Sequence, residues 1–211
     1  MALLPISKKD ITTPYNVSTE EAAELVITSS NRASVARRGG FCFSMVMGVR
    51  PYNLLQDKDN TRYWSIATTL ARYPYLQIPI YNIIASPGFD PKLTNLPFLT
   101  VSIAALPGDS EVVLTNDVSS ALRVGQFISF GDKSKVYQVA RIDKSKIELS
   151  HPLVQHVPQL EPLNYMCKDY YGNNVDGVMG YFVNEDFGNP VCSIDDGILG
   201  NIGPLKFREK K

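Results

Sequence analysis

Between Thr100 and Leu153, strand-like runs and turn signals follow one another so closely that no helix fits. "TVSIAAL" (100–106), "EVVLT" (111–115), a hairpin over 126–142 and "KIELSHPL" (146–153) are punctuated by Pro107-Gly108-Asp109 and Gly131-Asp132. Short strands at this spacing predict an all-β unit, and a small closed barrel is the arrangement that removes their exposed edges.

The flanking segments alternate in period. In "FCFSMVMG" (41–48), Phe41, Phe43, Met45 and Met47 fall on one face at period two, which predicts a strand with that face in the core. "ELVITSS" (24–30) and "RASVARR" (32–38) are shorter strand candidates. Tyr63, Ile66, Ala67, Leu70 and Ala71 follow helical spacing, with Asp59 or Asn60 as N-cap and Pro74 beyond the end, so a helix is expected over 60–72 with Trp64 as a core anchor at its edge. "YLQIPIYNII" (75–84) returns to strand character, and the Pro-rich 86–97 reads as a linker. From Asn164 on, strand-length stretches lie between the turn dipeptides Asn173-Asn174, Asp176-Gly177, Gly188-Asn189 and Asp196-Gly197. These strands complete a β-sandwich begun by 24–48 and 75–84. The expected domains are therefore an extended N-terminal arm (1–20), a sandwich made of 21–97 and 166–211, and an inserted barrel over 98–165. The aperiodic arm suits a contact with a neighbouring subunit, through Leu3, Leu4 and Ile6.

Charge and chemistry exclude more than they suggest. The 21 basic residues balance 21 acidic ones among 211, so phosphate-backbone binding is a poor fit. Phe127, Phe130 and Tyr137, beside Lys133, Lys135, Arg141 and Lys144, could in principle stack on bases, but their alternation with apolar neighbours reads as barrel scaffold together with Val136. No apolar run is long enough to span a membrane, and Pro5 with the following lysines does not suit a signal peptide. Cys42, Cys167 and Cys192 lack CxxC spacing and read as reduced core thiols. His151 and His156 are separated by five residues and Pro152, which does not suit a metal pair. The carboxylates of "NEDFGN" (184–189) and "SIDDG" (193–197) read as exposed turn acids. Gly197, Gly200 and Gly203 precede no helix and read as loop or bulge glycines, and "KFREKK" (206–211) as a solvated tail. The expectation is no catalytic residue, no metal, no cofactor and no enzyme. A competing function is a glycan-binding module, with Tyr165, Tyr170, Tyr171 and Tyr181 as a stacking patch.

The order of arm, strands, helix, strand, inserted barrel and Gly-rich β segment resembles the distal tail proteins of long-tailed bacteriophages. Three stretches carry the resemblance: "VGQFISFGDKSKVYQV" (124–139), "YWSIATTLARYPYLQIPIY" (63–81) and "DGVMGYFVNEDFGNPVCSIDDGILGNIGPLKFRE" (176–209). Gln126 stands where that family commonly has Asp. The resemblance implies a mainly β fold, a sandwich with one helix carrying an oligonucleotide-binding-like barrel. It also implies a homo-oligomeric ring, hexameric, joining the tail tube to the baseplate hub or receptor-binding apparatus at the tail tip. Tail-tube and hub proteins would be its partners, and the virion tail, assembled in the host cytoplasm, its location. A glycan-binding or other interaction module at the tail tip is the alternative.

Overall fold

A computed structural model of the chain describes residues 2–27, 33–82, 84–92, 99–131 and 135–209, with 20–27 and 33–40 described by backbone alone. The proposed hinge residues Asp132 and Lys133, part of the proposed linker (93–97), the strand ends at 28–30 and 32, and the terminal Lys210 and Lys211 lie outside the described residues. The fold is mainly β. In chain order the strands are β1 (Ala2–Leu3), β2 (Ile11–Ile27), β3 (Ala33–Val49), β4 (Tyr52–Asn53), β5 (Tyr75–Tyr81), β6 (Leu99–Thr100), β7 (Glu111–Val113), β8 (Phe127–Phe130), β9 (Val136–Asp143), β10 (Lys146–Leu149), β11 (Pro162–Asn164), β12 (Met166–Lys168), β13 (Asn174–Asn184), β14 (Cys192–Asp195), β15 (Leu199–Ile202) and β16 (Leu205–Glu209). The helix α1 (Asp57–Arg72) lies between β4 and β5.

Three sheets result among the described residues. The large one runs β1-β5-β13-β16-β3-β2 with β12 added to β13, a second runs β6-β11-β8-β9-β10-β7, and a third runs β14-β15-β4. The two edges of the second sheet also meet: Val101 bridges Leu114, the Ser102 N–H donates to the Val113 carbonyl at 2.8 Å, and the Thr115 N–H to that of Thr100 at 2.9 Å.

Alternation sets the inner face of the large sheet. Phe41, Phe43, Met45 and Met47 are buried, beside Leu205 and Phe207 on β16, Phe182 on β13, and Leu76, Ile78 and Ile80 on β5. Complete burial of such a side chain contributes about 1.5–3 kcal/mol. One end of this face meets α1, where the Asn184 amide donates to the Leu70 carbonyl. The other end meets β8 and β9 through Phe43 against Phe127 at 5.6 Å and Phe41 against Tyr137 at 6.0 Å. The core is continuous across both sheets.

Several expectations change. Residues 1–20 are not an extended arm: β1 adds to β5, a short 3-10 turn follows at Lys8–Asp10, and β2 already begins at Ile11. Leu4 and Ile6 are fully buried in their own core, because pairing of β1 with β5 draws them inward, and Leu3 is half-buried. The helix begins at Asp57 after Gln56, since Asp59 is held elsewhere, by the Arg50 guanidinium and the Asn53 N–H. Ala71 is exposed, and Trp64 is 52 % exposed, with its ring edge-on to the buried Tyr63. Asp176-Gly177 is no turn but part of β13, where Gly177 passes so close to the Ile80 carbonyl, at φ +149°, that a Cβ has no room. Asp196 and Gly197, both at positive φ, do turn β14 into β15.

Phe127 and Phe130 sit at positions of opposite parity on β8, so they face different neighbours: Phe127 meets Phe43 of the large sheet, and Phe130 meets Tyr137. All four β8 residues are buried. Truncating Phe127→Ala is expected to cost about 3–5 kcal/mol in urea melts. Val124→Ala, at a site 63 % exposed, stays within about 0.5 kcal/mol.

Candidate functional site

Two buried carboxylates join the large sheet to the β8–β9 hairpin. Glu209, at the end of β16, accepts from Lys135 Nζ at 2.5 Å, from the Val136 N–H at 2.9 Å and from the Phe43 N–H at 3.1 Å. Lys135 also donates to the Phe41 carbonyl at 2.7 Å and lies over the Phe41 ring. At the far side, Asp176 of β13 accepts from the Asn82 amide and from the Ser86 hydroxyl and N–H, while Asn82 Oδ1 receives the Phe127 N–H at 3.0 Å. The aromatic residues considered for base stacking are consumed, since Phe127, Phe130 and Tyr137 are buried, as are Val136 and Lys135, whereas Arg141 and Lys144 remain exposed. His151 stacks on Phe41 with ring centroids 4.0 Å apart.

The first exposed surface of note is an edge. Among the described residues β2 pairs on one side only, with β3, from Ile11 to Ile27 with register shifts between Thr12 and Tyr15 and between Glu21 and Ala23. Its other side offers a row of backbone donors and acceptors. Tyr15 anchors the start of this edge: its hydroxyl accepts the Tyr81 N–H at 2.8 Å, which curls β2 back toward β5.

The second is a cleft of about 930 Å³ between the Lys8–Asp10 turn, one flank of α1 and the loop joining β12 to β13. Asp169 builds that loop by accepting from the N–H groups of Tyr171 and Asn173. Tyr171 donates its hydroxyl to the Pro5 carbonyl, and Arg62 lies against its ring at 4.9 Å. Arg62 and Arg50 in turn both reach the wholly buried Asp10 carboxylate, which also accepts from the Ser7 hydroxyl and N–H.

No protein-family model and no curated protein matches the chain. Its function is therefore read from geometry.

The tyrosines of the proposed stacking patch do not gather. Tyr165 is buried and Tyr181 is half-buried on β13, whereas Tyr170 and Tyr171 stand together at the cleft, edge to face at 5.3 Å. The lysines opposite them, Lys8, Lys9 and Lys58, come from segments without any motif, so no spacing in the sequence signals the cleft. Gly200 packs against Tyr63 and Leu54 within β15, and Gly203 against Val191.

Burial pushes the Tyr15 phenol up to about 12, and raises those of Tyr52 and Tyr81 further, with the Asp10 and Asp169 carboxylates adding to it respectively. Below about pH 10 both folded and unfolded chains keep these protons. Above it the unfolded chain loses protons that the folded chain retains, so stability falls as pH rises through the folded values. Urea midpoints are expected to be level to about pH 9.5 and to drop between about pH 10 and 12. Absorbance at 295 nm should show these phenols ionising only with unfolding. A midpoint that holds through this window refutes the burial argument.

Proposed function

We propose that the chain is a structural protein that closes into a ring through the free edge of β2, as a distal tail protein of a long-tailed bacteriophage would. The single observation behind this is that edge: a strand of seventeen residues that, among the described residues, is paired on one side only. Long unprotected edges invite another chain, and cyclic closure uses the same contact in every copy without leaving a free end. A hexamer, with tail-tube protein on one side and hub or tip proteins on the other, is the arrangement the resemblance implies. The virion tail would be its place, and none of the residues described is assigned a catalytic role.

The finer architecture belongs to the same reading. The second sheet is a small barrel of the oligonucleotide-binding kind, supported by the hydrogen bonds linking β6 and β7 through Ser102, Val113, Thr100 and Thr115. The large sheet, where Tyr15 meets Tyr81, would be one layer of the sandwich in this reading.

Native mass spectrometry of the purified protein, alone and with tail-tube protein, tests this. The expected species is a closed ring. Placing lysines on the edge with Asn16→Lys and Ser18→Lys, at exposed positions, is expected to give a monomer with unchanged circular dichroism. A wild-type protein that stays monomeric in both settings refutes the reading.

A further inference from the structure

We infer that the cleft beside α1 binds a negatively charged saccharide, a sugar bearing a carboxylate or a phosphate. Its volume of about 930 Å³ lies within the range of small-ligand sites. Tyr170 is 50 % exposed and Tyr171 39 %, and both line the space. A tyrosine ring offers an apolar face to the C–H side of a sugar and a polar tip to its hydroxyls.

The platform is built before any ligand arrives. Asp169 closes the loop through two backbone N–H groups and the Asn173 amide. Tyr171 is tied to the Pro5 carbonyl and held from one side by Arg62, itself fixed by Asp10. Ordering that is already done in the free protein is not charged against binding.

The sign of the ligand follows from which charges remain available. Of the three carboxylates lining the cleft, Asp169 and Asp176 are buried and occupied by their own hydrogen bonds, leaving Asp57 exposed. Facing it, Lys8, Lys9 and Lys58 are exposed and have no ion-pair partner among the described residues. Among the exposed side chains of the cleft the excess is cationic, and the two buried carboxylates, whose partners are neutral, hold their charge behind that rim. Ser7 and Asp10 turn the Lys8–Asp10 segment so that its two lysines stand at the rim, and the first turn of α1 adds Lys58. Ser65 and Thr61 on the remaining wall carry hydroxyls of the kind that pair with those of a sugar, Thr61 while donating its own proton to the Asp57 carbonyl. A nucleic-acid strand would also stack on tyrosine, but it calls for a basic groove following a backbone, and three lysines around one pocket do not make one.

Isothermal titration of the full chain with a hyaluronan tetrasaccharide, glucose 6-phosphate, chitotetraose and an oligo-dT strand tests the assignment. At least one of the two acidic sugars is expected to bind at least tenfold more tightly than the neutral chitotetraose, and which one binds tells carboxylate from phosphate. Tyr170→Ala is expected to weaken that binding at least tenfold. The combined Lys8→Gln, Lys9→Gln and Lys58→Gln change should bring the acidic sugar down to the neutral one while leaving thermal stability unchanged. The same affinities are expected in the monomeric Asn16→Lys, Ser18→Lys variant, so the ring and the cleft stand or fall separately. Failure of both acidic sugars to bind, equal binding of chitotetraose, tighter binding of oligo-dT, or indifference to Tyr170→Ala overturns the inference.

Discussion

The Glu209 carboxylate is the point on which the two sheets turn. It is buried at the end of β16, and it receives a lysine and a backbone N–H from the start of β9 as well as a backbone N–H from β3. A carboxylate taken out of water is tolerable only when its partners are all in place, and removing one partner of such a pair typically costs about 3–5 kcal/mol. Apolar contacts such as Phe43 with Phe127 supply attraction between the sheets but little direction. The hydrogen bonds to Glu209, and those that run from Asp176 through Asn82 to the Phe127 N–H, supply the direction. They pin both ends of the β8–β9 hairpin to the large sheet, so the opening strand of that hairpin is buried on both faces.

A second buried carboxylate organises the opposite end. Asp10 draws in Arg50 and Arg62 from β3's exit and from α1, and Arg50 also holds Asp59, whose carboxyl it keeps below the usual range. This web fastens the helix to the first strands and places Arg62 against Tyr171. The cleft is thus a by-product of how α1 is anchored, whereas the free edge of β2 lies at the rim of the large sheet, beyond β3.

Period and punctuation made much of this legible. The face of Phe41, Phe43, Met45 and Met47, the helix through Tyr63, Ile66 and Leu70, and the strands β5, β9 and β10 all follow from spacing that a chain imposes on itself. Trp64 misled because helical phase gives a direction but not what lies in that direction, and the neighbour there is solvent. The first twenty residues read as an arm because Pro14, lysines and Ser/Thr break local periodicity. Tertiary pairing overrides that: β1 finds β5 across a long sequence separation, and β2 pairs with the next strand, β3. Tyr165 looked equivalent to Tyr170, but one points into the core and the other stands on a turn.

By itself, then, the sequence determined that the chain is mainly β, where its helix lies and which alternating residues form the core, because these depend on patterns between near neighbours. Only the tertiary structure decided that Lys135 meets Glu209, that Asp10 gathers two arginines, that lysines from two unrelated segments face two tyrosines, and that β2, among the described residues, pairs on one side only. The contacts among these join residues far apart along the chain, and a pairing of that kind leaves no periodic trace: it exists only once burial has made an unpartnered charge or an unpaired backbone group costly.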